Sequence, residues 1–255
     1  MLRLRQVALV ARSLAPVVEE IRDVLGLEVA FRDPSVASFG LENALFPIGD
    51  QFLEVVSPIR QGTAAGRYLD RRGGDGGYMV ILQCDDPAER ERRAVALGIR
   101  KAFEQDTGGY RVLQLHPGDT GGCFLSVDFQ EGGEDREGPW HPAGPTWPAA
   151  VRSGVVCGIT AVEIQSPEPA KLAARWQEIL DLPLETDSTL RLDDAAIRFG
   201  EDRDGRGEGL GALELVTVDR SRLLAAAERR GHRVSVNRVE ICGTGFHLAA
   251  DRSAR

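Results

Sequence analysis

Gln6-Val7-Ala8-Leu9-Val10, the apolar-striped segment Leu14 to Leu25 and the closing Leu25-Gly26-Leu27 return later as Ala161-Val162-Glu163-Ile164-Gln165 through Leu180-Asp181-Leu182. The copies align without a gap at an offset of 155 residues, with Val7 on Val162 and Leu9 on Ile164. Such a repeat decides the architecture before any motif does, because each copy is one supersecondary unit built more than once.

Alternation in the first copy puts Leu4, Gln6, Ala8 and Val10 on one face of a strand and Val7 and Leu9 on the other, so both faces need cover. Leu14, Val17, Val18, Ile21, Val24 and Leu25 have helical spacing, which predicts a helix whose stripe packs on Val7 and Leu9. Strands are then expected over Leu27 to Phe31, Phe39 to Ile48 and, past the turn signal Gly49-Asp50, Gln51 to Val56. After a polar segment, 60–77, the same order restarts with Tyr78 to Cys84. A helix follows over Pro87 to Leu97, then strands over Arg100 to Gln105, Arg111 to His116 and Cys123 to Phe129. A third unit begins near Gly158, with helix stripe Leu172, Ala173, Trp176, Ile179 and Leu180. A fourth begins near Gly211, where Leu213 to Asp219 answers Met79 to Asp85 at an offset of 134. The expected fold is α+β, with four βαβββ modules paired into two domains. The first spans 1–130 (modules 1–57 and 76–130), a linker spans 131–154, and the second domain spans 155–251.

At 255 residues and 42% hydrophobic, the chain is long enough for two domains of about 100 to 130 residues each. A net charge of -8, with arginine dispersed, argues against nucleic acid, which demands concentrated positive charge. A small molecule is the expected partner. Arg3, Arg5 and Arg12 interrupt the apolar N-terminus, and no uncharged run approaches the roughly 18 residues of a membrane span. Cys84, Cys123, Cys157 and Cys242 stand singly, without zinc spacing, and read as reduced thiols of a cytoplasmic protein. The linker carries Gly-Pro-Trp140-His-Pro-Ala-Gly-Pro-Thr-Trp147; two large apolar rings predict that it lies against a domain or a partner subunit. A lid formed by Trp140 and His141 is the functional alternative.

Three local stretches add to the repeat: Asn43-Ala44-Leu45-Phe46-Pro47-Ile48-Gly49-Asp50 leading into Leu53-Glu54-Val55, then Arg67-Tyr68-Leu69-Asp70-Arg71-Arg72-Gly73, then His116-Pro117-Gly118-Asp119-Thr120-Gly121-Gly122. With the four modules, they make the chain resemble the vicinal oxygen chelate, or glyoxalase-like, superfamily, and the last two are similar to parts of methylmalonyl-CoA epimerases. The resemblance implies two modules curling into a cup, each giving metal ligands from its first and last strands, usually histidine or glutamine, glutamate, histidine and glutamate. Carried onto the first half, these positions are Gln6, Glu54, Met79 and Ser126. Carried onto the second, they are Ala161, about Arg198, Leu213 and His247. One carboxylate beside an amide, a thioether and a hydroxyl is a poor set for a hard divalent ion. The expectation is therefore no metal and no other cofactor, with the second domain a degenerate copy; a two-domain extradiol dioxygenase drops out for want of its ligands.

Glu54 is the candidate catalytic residue. It alternates with Phe52 and Val56, and among such apolar neighbours a carboxylate suits proton transfer near neutral pH. The pocket is expected to include Gln6, Phe46, Phe52, Tyr78, Met79 and Ser126, with Gln6 orienting Glu54 or a substrate carbonyl and Tyr78 supplying a phenol. The structural alternative for Glu54 is a satisfied carboxylate paired with an arginine. His116, before Pro117 and an expected Gly-rich hairpin, reads as a turn residue; His141 and His232 read as surface residues. Three functions stay open. One is lyase- or isomerase-type proton transfer by Glu54 on a small oxygenated metabolite. Another is sequestration of a ligand without catalysis, as in bleomycin-resistance members of the superfamily; the last is a structural partner in an assembly. A homodimer is the expected form of any self-association.

Overall fold

The computed structural model describes residues 1–250, whose strands form two seven-stranded sheets. In the first, β1 (Leu2–Val10), β2 (Leu41–Ile48), β3 (Gln51–Pro58), β4 (Gly76–Cys84), β5 (Lys101–Asp106), β6 (Tyr110–Leu115) and β7 (Phe124–Gln130) run in the order β2-β3-β1-β4-β7-β6-β5. In the second, β8 (Val156–Ser166), β9 (Thr189–Arg191), β10 (Ala196–Glu201), β11 (Gly209–Thr217), β12 (Val234–Ser235), β13 (Arg238–Ile241) and β14 (Thr244–Ala250) run in the order β12-β13-β14-β11-β8-β10-β9. Four modules are thus joined in pairs within mixed α+β sheets.

The chain divides into two compact units. The first unit takes 1–7, 78–141 and 161–211, essentially the second and third modules; the second takes 8–77, 142–160 and the chain from Ala212 onward, the first and fourth. Each unit therefore draws on both halves of the repeat.

In the second unit, helix α1 (Leu14–Leu25) buries the full stripe read from its sequence and packs on the helix of the fourth module. Gly26 ends α1 in the left-handed region at φ 67°, and a Cβ there would meet Val155 Cγ2 at 2.6 Å. Its repeat partner Asp181 has the same conformation at φ 55° and ends the helix Pro169–Leu180. Aspartate tolerates this geometry better than most side chains.

Three local expectations change. Leu27 to Phe31 forms only a bridge, Phe31 to Leu45, because Asp33 caps a 3-10 helix at Pro34–Phe39 and diverts the chain; β2 consequently starts at Leu41 rather than Phe39. The polar 60–77 segment contains a helix, α2 (Ala64–Arg72), capped by Thr63 and stopped at Gly73. The turn after His116 is one short helix, Pro117–Thr120, not a hairpin. Among the described residues, no helix is long and apolar enough to cross a membrane.

Candidate functional site

In the second unit, Gly49 and Asp50 turn β2 into β3, and the register pairs Leu45 with Glu54 and Pro47 with Phe52. Period-2 alternation then puts Asn43, Leu45, Phe52, Glu54 and Val56 on one face. Phe46 pairs with Leu53, so its side chain lies on the opposite face from Glu54 and does not join it in a pocket; a single position changes the face. Glu54 is 7% exposed. Asn43 Nδ2 donates to Glu54 Oε1 at 2.7 Å, and Asn43 Oδ1 accepts from the Asp33 backbone N–H at 2.8 Å. The second contact fixes which way the Asn43 amide points, which leaves its NH2 for the carboxylate. On the same face, the Phe52 ring meets Trp147 edge to face at 5.1 Å.

In the first unit, β4 and β7 pair in parallel with Met79 opposite Phe124, Ile81 opposite Ser126 and Gln83 opposite Asp128. Met79, Ser126 and Asp128 therefore share a face, while Tyr78 is out of step with them and rests its ring on Phe124 at 5.0 Å. Asp128 is buried and accepts from Ser126 Oγ at 2.5 Å, Tyr110 Oη at 2.7 Å and the Leu113 N–H at 3.4 Å. Burial raises its carboxyl from an ordinary 3.8 to about 6, against the pull of these donors, Ser126 and Tyr110 foremost. The Ser-x-Asp alternation in β7 was the available signal for Asp128, as the turn at Gly49-Asp50 was for Asn43; neither residue was expected at the site.

The linker supplies the cover. Trp140, 1% exposed, donates its indole N–H to Gln6 Oε1 at 2.7 Å. It meets Tyr110 edge to face at 5.5 Å and lies under the Arg5 guanidinium. Arg3 donates to the carbonyls of Gly133 and Asp135, and Arg5 to those of Arg136 and Gly138. Two buried arginines thereby hold the strap through its backbone, a fixed attachment for a segment with no regular structure. His141 is exposed but stacks on Tyr110 at 5.0 Å.

Other titratable side chains resolve simply. His116 Nδ1 accepts the Gly118 N–H at 3.1 Å, a turn role, and the adjacent Asp119 is held well below the usual carboxylate range by Arg100. His232 is not a plain surface residue, because its side chain is only 15% exposed and its Nε2 lies 4.0 Å from Glu20 Oε2. None of the four cysteines forms a disulfide among the described residues; Cys84, Cys123 and Cys242 are buried, and burial pushes the Cys84 thiol up to about 11.

The donors at the positions carried over from metal-dependent proteins are engaged elsewhere, with Gln6 Oε1 on Trp140 and the Ser126 hydroxyl on Asp128. Among the described residues, no group of three or more histidine, cysteine, aspartate or glutamate side chains converges closely enough to hold a metal ion. These residues do not fit a hard divalent ion. In the second sheet, the register corrects one position. Ala212 pairs with Gly245, Leu213 with Phe246 and Glu214 with His247. The face of His247 therefore carries Ala212 and Glu214, not Leu213; the true offset from β4 is 133, one residue less than the sequence comparison suggested.

A family model described as a glyoxalase-like domain matches residues 7–180. A hypothetical protein from Staphylococcus aureus is similar over 98% of this chain and 99% of its own, at 13% identity and a TM-score of 0.65, which shows a shared fold over that length. Methylmalonyl-CoA epimerase from Mycobacterium tuberculosis is 22% identical over 50% of this chain and 87% of its own, with a TM-score of 0.45. A Streptomyces coelicolor methylmalonyl-CoA epimerase variant in complex with 2-nitronate-propionyl-CoA is 22% identical over 50% of this chain and 96% of its own, again at 0.45. No curated protein matches the sequence.

Proposed function

Because the chain belongs to the glyoxalase-like domain family, we propose that it acts on a small oxygenated metabolite by proton transfer of the lyase or isomerase kind, without a metal, Glu54 taking the proton. The Asn43–Glu54 contact carries this reading. A carboxylate that is 7% exposed, on a face with Leu45, Phe52 and Val56, has one oxygen fixed by an amide that is itself fixed by the Asp33 backbone. Holding a base in one orientation in a poorly solvated setting is what abstraction of a proton next to a carbonyl requires. The metal-free part of the proposal is supported by the donor chemistry at Gln6, Met79 and Ser126. Buried thiols outside any disulfide fit the cytoplasm as the place of action.

The test is solvent deuterium exchange. Protein in D2O is given a panel of acyl thioesters, 2-oxo acids, β-keto acids and α-hydroxy ketones, and loss of the α-proton signal is followed by NMR. The expected result is protein-dependent exchange in at least one class, reduced at least 100-fold in Glu54→Gln with an unchanged circular dichroism spectrum. Exchange that survives the substitution would overturn the role of Glu54. Near-stoichiometric Fe, Mn, Ni, Co or Zn in protein purified without added metal or chelator would overturn the metal-free assignment. The edge-to-face pair Phe52–Trp147 favours a second reading, sequestration of an aromatic or apolar ligand. Binding of panel members without exchange by the wild type would select it.

A further inference from the structure

The second sheet has a polar face within the second unit that the Glu54 reading leaves unused. Glu214 on β11 pairs with His247 on β14, and His247 pairs with Arg238 on β13. These three stand in one row across adjacent strands, and Thr160 of β8 joins it by donating its hydroxyl to Glu214 Oε1 at 2.7 Å. Glu214, His247 and Thr160 are half-buried and Arg238 is exposed, whereas Leu213, Leu215, Phe246 and Leu248 on the other face are buried. Beside the row the side chains shrink to Ala212 and its partner Gly245.

Arg238 lies down over that gap. A Cβ added at Gly245 would meet Arg238 Nη2 at 2.7 Å, Nε at 2.9 Å and Cζ at 3.1 Å, so the guanidinium rests on the bare glycine backbone. It has no hydrogen bond or ion pair among the described residues, even though Glu240 stands two positions away on β13 and faces Gly245 across the ladder. Gly245 and Glu214 are diagonal neighbours on adjacent parallel strands, since Gly245 pairs with Ala212, two residues before Glu214. A cation without a hydrogen bond or ion pair among the described residues and an anion held by Thr160 thus flank a floor of glycine and alanine.

We propose that this face binds a small zwitterion, its carboxylate on Arg238 and its ammonium group on Glu214, with His247 between them. A planar guanidinium takes a carboxylate in a two-point contact, and the opposite charge one diagonal away selects ligands that carry both. A row of charges serving only to pair strands would instead close Arg238 onto an acidic neighbour. The site is independent of Glu54, so either assignment can fail alone.

The probe is γ-aminobutyrate, with butyrate and butylamine as its two halves, titrated into the full chain by calorimetry and by the His247 imidazole NMR signals. The expected result is γ-aminobutyrate binding at least tenfold tighter than either half, with the His247 signals shifting. Arg238→Ala and Glu214→Gln are each expected to weaken it at least tenfold, and Glu54→Gln to leave it unchanged. The proposal is overturned if γ-aminobutyrate binds no better than butyrate, if the His247 signals stay still, or if both substitutions leave the affinity intact in folded protein.

Discussion

Asp128 makes a pH dependence that can be worked out in sign. Its carboxyl stands at about 6 in the fold against 3.8 ordinarily, chiefly through burial. The folded state therefore holds the proton more tightly than the unfolded chain. For this group, stability is greatest below about 4 and falls as pH rises to about 6, a cost on the order of 3 kcal/mol that is complete above that. Asp23, Asp85, Glu91 and Asp119 are shifted the other way by their cationic partners, so the raw stability profile mixes both signs. The difference between wild type and Asp128→Asn isolates the effect. Urea unfolding should show it drifting in favour of the variant by about 3 kcal/mol between pH 4 and 7; a flat difference would refute the assignment. Asn43 offers a separate test. Asn43→Ala removes the partner of Glu54 Oε1 and should cost about 1–3 kcal/mol in urea unfolding at neutral pH. Glu54 and Phe52 were legible in the sequence as neighbours on a face because residues two apart on one strand point the same way. Phe46 was not, since membership of a strand does not reveal its face until the pairing partner is known.

At the scale of elements, the helices with a long apolar stripe were readable, whereas α2, the short helix Pro117–Thr120 and the irregular segments were not. The stripe of α1 is buried residue for residue as its spacing implies, because helical periodicity is a local property. The 3-10 helix at Pro34–Phe39 and the β11 register depend on capping and pairing that no window of sequence contains. The linker falls between these cases. Its tryptophans announced that it would be covered, but its anchors, Arg3 and Arg5, lie more than a hundred residues away in β1 and looked from sequence like interruptions of an apolar strand. Because these arginines bind backbone carbonyls, the strap is better described as a wall than as a lid. Trp140→Ala should then behave as a core truncation, costing about 3–5 kcal/mol. Trp140→Phe, which removes the indole N–H to Gln6 while retaining a ring, should cost appreciably less. A strap that opens freely would give a Trp140→Ala loss below about 1 kcal/mol in the same urea measurement.

The whole molecule raises the question of what its folding unit is. The repeat suggests two halves, and the two sheets follow those halves. The compact units do not, since each combines modules from both. In the second unit, α1 of the first module packs on the fourth-module helix Arg220–Arg229, and Arg230 reaches Asp23 at 2.7 Å. In the first, Arg90 and Arg93 donate to the carbonyls of Leu180 and Glu178 at the C-terminal end of the third-module helix. Such carbonyls have no partner inside their own helix. The exposed ion pair itself contributes little; the apolar helix faces matter more, because a separated half would present them to water. Fragments 1–154 and 155–255, expressed alone, should accordingly lack a cooperative urea transition, while co-expressed fragments should purify together and regain one. A monomeric 1–154 fragment with a sharp transition would show instead that the repeat halves are the folding units. The Asn43–Glu54 contact should follow the same dependence. Both residues belong to the second unit, which takes its fourth module from beyond the linker, so the isolated first half is expected to lose the orientation of Glu54 even though it contains every residue of that contact.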